Sequence, residues 1–81
     1  MTNEQIDRFL TEKAHEKPVQ ISFKTRKGIT GMFLRLPDYG ELRSKNFWRI
    51  VSEMHIDDYK KTKDPNLARI YNGSEMTKLS M

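Results

Sequence analysis

The spacing of apolar residues changes at Lys17-Pro18. Before this point, apolar side chains recur three or four positions apart, at Ile6, Phe9, Leu10 and Ala14. That period predicts an amphipathic helix over residues 3–16, which begins with the capping pair Thr2 and Gln5. From Val19 onwards apolar and polar residues alternate, as they do in a strand with one buried face. The sequence therefore predicts one N-terminal helix followed by strands.

Turn-forming residues divide the rest of the chain into short segments. Gly28, Pro37, Gly40 and Gly73 lie in or beside turns. The predicted strands cover residues 19–24, 29–36, 46–52, 67–71 and 75–80, and Gly31 is expected to mark a bulge or sharp bend. Residues 53–66 fit a continued strand, a helical turn or a loop, and we interpret them as a long polar loop.

A chain of 81 residues has room for one domain with a modest core. A helix followed by five short strands with tight turns favours a small sheet that bends and closes on itself. We therefore predict a single domain, 1–81, that is mainly β with one N-terminal helix. Its fold class is a small, strongly bent five-stranded barrel of the SH3-like type over residues 19–81.

The order of these elements resembles the Sm-like fold of the Sm, LSm and Hfq proteins. The resemblance rests on the hairpin 21–36 with Gly28 and Gly31, the Asp38 turn, Asn46 before the third strand, and IYNGSEM before the last. It implies a helix that caps a bent five-stranded barrel, RNA binding, and rings formed by pairing of edge strands. The chain departs from the family where Asp38 and Asn46 are separated by extra residues, and where Asn72 replaces the arginine before Gly73. Both departures fall at positions that line the family's uridine pocket.

Positive charge is concentrated in the middle of the chain. The net charge is +4 at pH 7. Eight basic and two acidic residues lie between Lys17 and Arg49, whereas the remainder holds seven basic and nine acidic residues. Such a segment attracts phosphate. Lysines on strand edges also discourage aggregation, so both interpretations of the charge stay open.

Aromatic residues interleaved with basic ones are typical of single-stranded nucleic-acid sites, because bases stack on aromatic faces while cations neutralise phosphates. A small barrel also needs large side chains inside, and we expect Phe23, Phe33, Phe47 and Trp48 to be buried there. Methionines, including Met32, Met54 and Met76, are expected to fill the core. Tyr39 lies in a turn and is expected to be exposed. The predicted nucleic-acid-binding residues are Lys24, Arg26, Lys27, Tyr39, Arg43, Lys45 and Asn72.

No residue pattern predicts catalysis. The chain has no cysteine, His15 fits a solvated helix surface, and His55 with Asp57 and Asp58 is not a complete ligand set for a metal. Gly28 and Gly31 lack the spacing of a phosphate-binding loop. We therefore expect a non-enzymatic protein without metal or cofactor. The lack of cysteine, of a signal peptide and of a long apolar segment predicts a cytoplasmic protein that does not enter a membrane.

Two functional hypotheses follow. The first is a non-catalytic module that binds nucleic acid, with single-stranded RNA as the expected partner, and that forms a homo-oligomer through its edge strands. The second is a protein–protein interaction or scaffolding module with an SH3-like barrel, in which the same aromatic residues and edge strand bind a peptide or another subunit.

Overall fold

The computed structural model describes residues 1–13 and 17–81. The described helices are α1 (Asn3–Lys13), α2 (Tyr39–Ser44) and α3 (Ile56–Thr62). The strands are β1 (Pro18–Phe23), β2 (Ile29–Phe33), β3 (Phe47–Ser52), β4 (Arg69–Asn72) and β5 (Met76–Ser80). Single 3-10 turns cover Glu53–His55, Pro65–Leu67 and Gly73–Glu75.

Helix α1 begins as the sequence predicts. The backbone nitrogen of Gln5 donates to Thr2 Oγ1 at 3.2 Å, and Gln5 Oε1 accepts from the backbone nitrogen of Thr2 at 2.9 Å. This reciprocal capping box satisfies donors that the first turn leaves free. The buried stripe consists of Ile6 and Leu10. The predicted extension of the helix to residue 16 and the surface position of His15 lie outside the described residues.

All five strands form one antiparallel sheet in the order β4-β3-β2-β1-β5. Val19 pairs with Gly31, Met32 with Val51, and Trp48 with Tyr71. The last strand returns to the first, so that Ile21 pairs with Leu79. Within the described part of the chain, β4 and β5 are the two edges and are not paired with each other, so the sheet is open.

The sheet is nevertheless strongly curved. Strands β1 and β4 are separated by two others, which in a flat sheet places them about 14 Å apart. The rings of Phe23 on β1 and Tyr71 on β4 are stacked with their centroids only 5.8 Å apart. The sheet must bend to bring these two strands into contact. The predicted helix, five strands and bend are confirmed, whereas the predicted closure into a barrel is not shown.

Apolar side chains cover the sheet in two clusters. One cluster contains Ile6 and Leu10 of α1, Trp48 and Ile50 of β3, and residues of the other long strands. The second contains Met32, Leu34 and Val51 with Ile56 and Tyr59 of α3. Because neighbouring residues of a strand point to opposite faces, Ile50 and Val51 enter different clusters. Each face of the sheet therefore has its own helix.

The prediction of a mainly β chain with one helix is wrong, because α2 and α3 make the fold mixed α/β. Helix α3 replaces half of the predicted polar loop, and 3-10 turns lie on both sides of it. Its Ile56 and Tyr59 are buried, and acidic residues in its first turn and lysines in its last favour a helix at this position. Helix α2 replaces the end of the predicted turn at residues 37–40. Tertiary contacts hold it, since Asn3 Nδ2 donates to the carbonyl of Arg43 and the Tyr39 ring packs on Trp48.

Several local expectations also change. Gly31 sits in regular pairing, and the register shift lies instead between Ser22 and Phe23. Strand β2 ends at Phe33 rather than residue 36, and β4 starts at Arg69 because Pro65–Leu67 forms a 3-10 turn. Phe33, Trp48, Met32 and Met76 are buried as expected, whereas Phe23 and Phe47 are only half-buried. The prediction of Met54 as a core residue is wrong, because this side chain is 79% exposed.

Two glycines provide a matched test of this packing. A Cβ at Gly31 would lie 2.5 Å from Ile50 Cγ2 and 3.0 Å from the carbonyl oxygen of Val51, whereas a Cβ at Gly40 meets nothing within 4 Å. We expect Gly31→Ala to lower the free energy of unfolding by about 1–3 kcal/mol through overpacking. Gly40→Ala, in α2, should raise it by about 0.5–1 kcal/mol. Urea denaturation of both variants measures the difference, and equal effects would contradict the close packing of β2 against β3.

Candidate functional site

A stacked aromatic pair with an arginine above it lies where the β1–β2 turn meets β4. Phe23 and Tyr71 stack with an angle of 30° between their ring planes. The guanidinium carbon of Arg26 lies 5.0 Å from the Phe23 centroid and 5.7 Å from the Tyr71 centroid. A cation above exposed aromatic faces contributes only about 0.5–1 kcal/mol. Arg26 can therefore leave the rings when a ligand offers a better partner.

Two lysines flank this arginine. Lys24 and Lys27 are exposed, and ion pairs among the described residues involve neither of them nor Arg26. The backbone nitrogen of Lys24 donates to the carbonyl of Glu75 at 2.9 Å, which fixes the β1–β2 turn against the β4–β5 turn. The side chains of Phe23, Lys24, Arg26, Lys27, Tyr71 and Asn72 are called the turn surface below.

A shallow groove runs through the turn surface. Phe23, Arg26, Tyr71 and Asn72 line it, together with Thr25, Ile70 and Glu75. Asn72 Oδ1 is already occupied, because it accepts hydrogen bonds from the backbone nitrogen and the hydroxyl of Ser74. Glu75 is an acidic residue of this groove and opposes anion binding there. Arg26 is the cation that lines the groove, and the exposed Lys24 and Lys27 belong to the same turn, so the β1–β2 turn as a whole is positively charged.

The other three predicted binding residues lie elsewhere, around α2. Arg43 Nη1 is 3.6 Å from Asp7 Oδ2, and Lys45 Nζ is 3.8 Å from Glu41 Oε1. The prediction of an exposed Tyr39 is wrong, because its ring packs edge-on against Trp48 and its hydroxyl donates to Asp7 Oδ1 at 2.8 Å. The structure therefore brings together Lys24, Arg26, Lys27 and Asn72, while Tyr39, Arg43 and Lys45 have acidic partners at a separate place.

The environment of Tyr39 opposes its ionisation. Burial has the largest effect, followed by the hydrogen bond to Asp7 and the negative charge of that carboxylate. Arg35 and Arg43 act in the opposite direction without cancelling these effects. Together they raise the pKa of Tyr39 to about 12. Tyr39 thus serves as a neutral hydrogen-bond donor that joins α2 to α1.

Asp38 and Asn46, two residues that carry the resemblance to the Sm-like family, make internal contacts. Arg49 Nη2 donates to Asp38 Oδ2 at 2.6 Å. Trp48 Nε1 donates to Asn46 Oδ1 at 2.9 Å, and Asn46 Nδ2 donates to the carbonyl of Met1 at 3.0 Å. These contacts position α2, β3 and the N-terminal segment. Asp38 Oδ1 and Arg49 Nε are buried without a hydrogen-bond partner among the described residues, so this carboxylate oxygen is not exposed for ligand binding.

Sequence reasoning did not identify Phe23 as a site residue or pair it with Tyr71. Phe23 continues the alternating apolar face of Val19 and Ile21, which favours a core position. The signal was its place as the last residue of β1, directly after which the β1–β2 turn begins. Contact with Tyr71 depends on sheet curvature, which the alternation of residues does not encode.

Neither a metal centre nor a membrane span is found in the part of the chain that the structure describes. Over residues 1–13 and 17–81, His55 and the carboxylates do not form a group of three that could hold a metal ion. The longest described helix, α1, has 11 residues, whereas a membrane span needs about 20 apolar ones.

No protein-family model, curated protein or solved structure matches the chain.

The pKa of Tyr39 predicts a loss of stability at high pH. The phenol has a higher pKa in the folded protein than its usual value of 10.0. Its contribution to the free energy of unfolding is therefore complete below pH 10 and is lost as the pH rises towards 12. The difference between the absorbance titrations of the native protein and Tyr39→Phe, recorded near 295 nm, should have its midpoint at about 12. A midpoint near 10 would contradict the bond to Asp7.

Proposed function

We propose that this protein is a non-catalytic module that binds single-stranded nucleic acid through the turn surface, with RNA as the expected partner. The observation that carries the proposal is the position of Arg26 above the stacked rings of Phe23 and Tyr71. Aromatic faces beside cations are the usual means of holding an unpaired base and its phosphate.

In this proposal a base displaces the Arg26 guanidinium from the rings and stacks in its place. Stacking of one base on an aromatic side chain contributes about 1–3 kcal/mol, which exceeds the contribution of the surface cation–π contact. Arg26 then turns to a phosphate, as Lys24 and Lys27 also do. Binding through phosphates and stacking carries little sequence preference.

We also propose that the fold is a small barrel of the Sm-like or SH3-like type. The N-terminal helix, the five antiparallel strands and the contact between Phe23 and Tyr71 support this proposal. The internal roles of Asp38 and Asn46, and Asn72 in place of arginine, weigh against a uridine pocket of the family type. We therefore assign RNA binding to the turn surface and not to that pocket.

Replacement of Arg26 tests the proposal. Three phosphate contacts on a single strand predict a salt slope of roughly −2, at about −0.7 per contact. Arg26→Gln should weaken binding of a fluorescein-labelled, mixed-sequence single-stranded RNA and reduce the slope by about 0.7. Fluorescence anisotropy between 50 and 200 mM salt measures both quantities.

Arg8→Gln supplies the matched control, because Arg8 is exposed on α1 and the change in charge is the same. We expect Arg8→Gln to leave the affinity within about twofold of the native value, since a remote surface charge is largely screened. Equal losses of RNA affinity in both variants would show that binding depends only on the net charge of the protein. Lack of binding by the native protein at 50 mM salt would refute the proposal outright.

Protein interaction is a second candidate function, and the exposure of Ile70 favours it. Ile70 is 51% exposed on the edge strand β4, whose outer edge has no strand partner among the described residues. An apolar side chain on an open strand edge is a site where another chain can add a strand. We propose that this edge pairs with a second copy, which gives the predicted homo-oligomer. Because Ile70 also lines the groove of the turn surface, a second copy and RNA compete for this place.

Light scattering after nuclease treatment tests this association. If the β4 edge mediates it, Ile70→Lys should reduce the measured mass to that of one chain, 9.6 kDa. Met54→Lys is the control, because Met54 is more exposed but lies in the 3-10 turn Glu53–His55. A native protein that is already monomeric, or loss of assembly in both variants, would contradict self-association through β4.

A further inference from the structure

A second positively charged surface lies on the other face of the sheet. It is a groove of about 290 Å³ between α3 and the segment that follows β2. Its floor is apolar and belongs to the second core cluster, the one that contains α3. The floor residues are Met32, Leu34, Leu36 and Tyr59. Lys60 and Lys63 line its sides. Arg35 also lines the groove, while its guanidinium carbon lies 5.4 Å from the centroid of the Tyr39 ring.

The cations of this groove have no acidic partner in the described structure. The ion pairs of residues 1–13 and 17–81 involve Arg43, Lys45 and Arg49, and not the three groove cations. Acidic residues are also missing from the lining of the groove. The sign of the charge therefore selects an anionic occupant.

The floor distinguishes a peptide from a nucleic acid. Met32, Leu34 and Leu36 are aliphatic, and Lys63 Nζ lies 5.6 Å from the centroid of the Tyr59 ring. Phe33 also lines the groove, but its side chain is buried in the core cluster of the opposite face. The groove therefore lacks the paired, partly exposed aromatic faces of the turn surface. Its volume of about 290 Å³ lies at the lower end of the usual range for ligand pockets, about 300–1,000 Å³, and suits one or two side chains.

We propose that this groove binds an acidic peptide segment of a partner protein. A leucine-like side chain of the segment rests on Met32 and Leu34, and carboxylates on either side of it pair with Lys60 and Lys63. The peptide site shares no residue with the turn surface, so it does not rest on RNA binding. An adaptor that holds RNA on one face and an acidic protein segment on the other would follow if both proposals hold.

Lys60 and Lys61 are a matched pair for the test. Both are exposed lysines in the last turn of α3, but only Lys60 lines the groove. The probe is a fluorescein-labelled hexapeptide in which leucines are flanked by aspartates and glutamates, followed by anisotropy at 50 mM salt. Lys60→Glu should weaken binding about five- to tenfold, because one attraction is lost and one repulsion is added, whereas Lys61→Glu, which changes only the surrounding charge, should weaken it by no more than about two- to threefold.

A third variant removes a charge without loss of the fold. Lys63 has a φ of 57°, the left-handed conformation that glycine adopts without strain. Lys63→Gly should therefore keep or raise the melting temperature while it weakens peptide binding. A probe with serine in place of leucine should also bind more weakly, since the apolar floor is then unused.

Three results would refute the peptide site. Lack of binding by the acidic peptide, or equal losses in Lys60→Glu and Lys61→Glu, would overturn the proposal. If the labelled single-stranded RNA competes with the peptide and is itself weakened by Lys60→Glu, the groove belongs to a nucleic-acid surface, and the peptide site is refuted. Failure of RNA binding in the Arg26 experiment would leave this result unaffected.

Discussion

The hydrogen bonds of Asn46 determine how the parts of this small fold meet. Its backbone has a positive φ of 61°, which asparagine tolerates better than most residues and which lets the chain turn from α2 into β3. Its side chain binds Trp48 Nε1 and the carbonyl of Met1, and its carbonyl accepts from the nitrogen of Gly73 at 2.8 Å. A Cβ at position 73 would overlap the Asn46 amide. One residue thus links the N-terminal segment, the β3 core and the β4–β5 turn.

The same arrangement places the turn surface. Asn46 and Gly73 fix the end of β4, and the curvature of the sheet then brings Tyr71 onto Phe23. Asp7, Glu41 and Asp38 pair with Arg43, Lys45 and Arg49, so much of the positive charge in the middle of the chain stabilises α1, α2 and β3. The cations that stay unpaired at the two candidate sites are those of the β1–β2 turn and of the α3 groove.

Local patterns predicted the helix, the five strands and the core positions of Phe33 and Trp48, because alternation and capping depend on neighbouring residues. Other features depend on residues distant in sequence. Tyr39 is typical of a turn by its neighbours, yet it is half-buried because Trp48 and Asp7 lie beside it. The segment 53–66 fitted a strand, a helical turn or a loop, and its many polar residues favoured the loop. The helix α3 depends on burial of Ile56 and Tyr59 against the sheet, which the local pattern does not encode. The groove beside α3, with Lys60 and Lys63, was not predicted for that reason.

The most direct test of RNA binding at the turn surface is a titration of ¹⁵N-labelled protein with a mixed-sequence single-stranded RNA at 50 mM salt, followed by amide chemical shifts. We expect the largest shifts at Lys24, Arg26, Lys27, Tyr71 and Asn72, with little change on the exposed face of α1. Shifts confined to α3, or no shifts at millimolar RNA, would contradict the assignment of this surface.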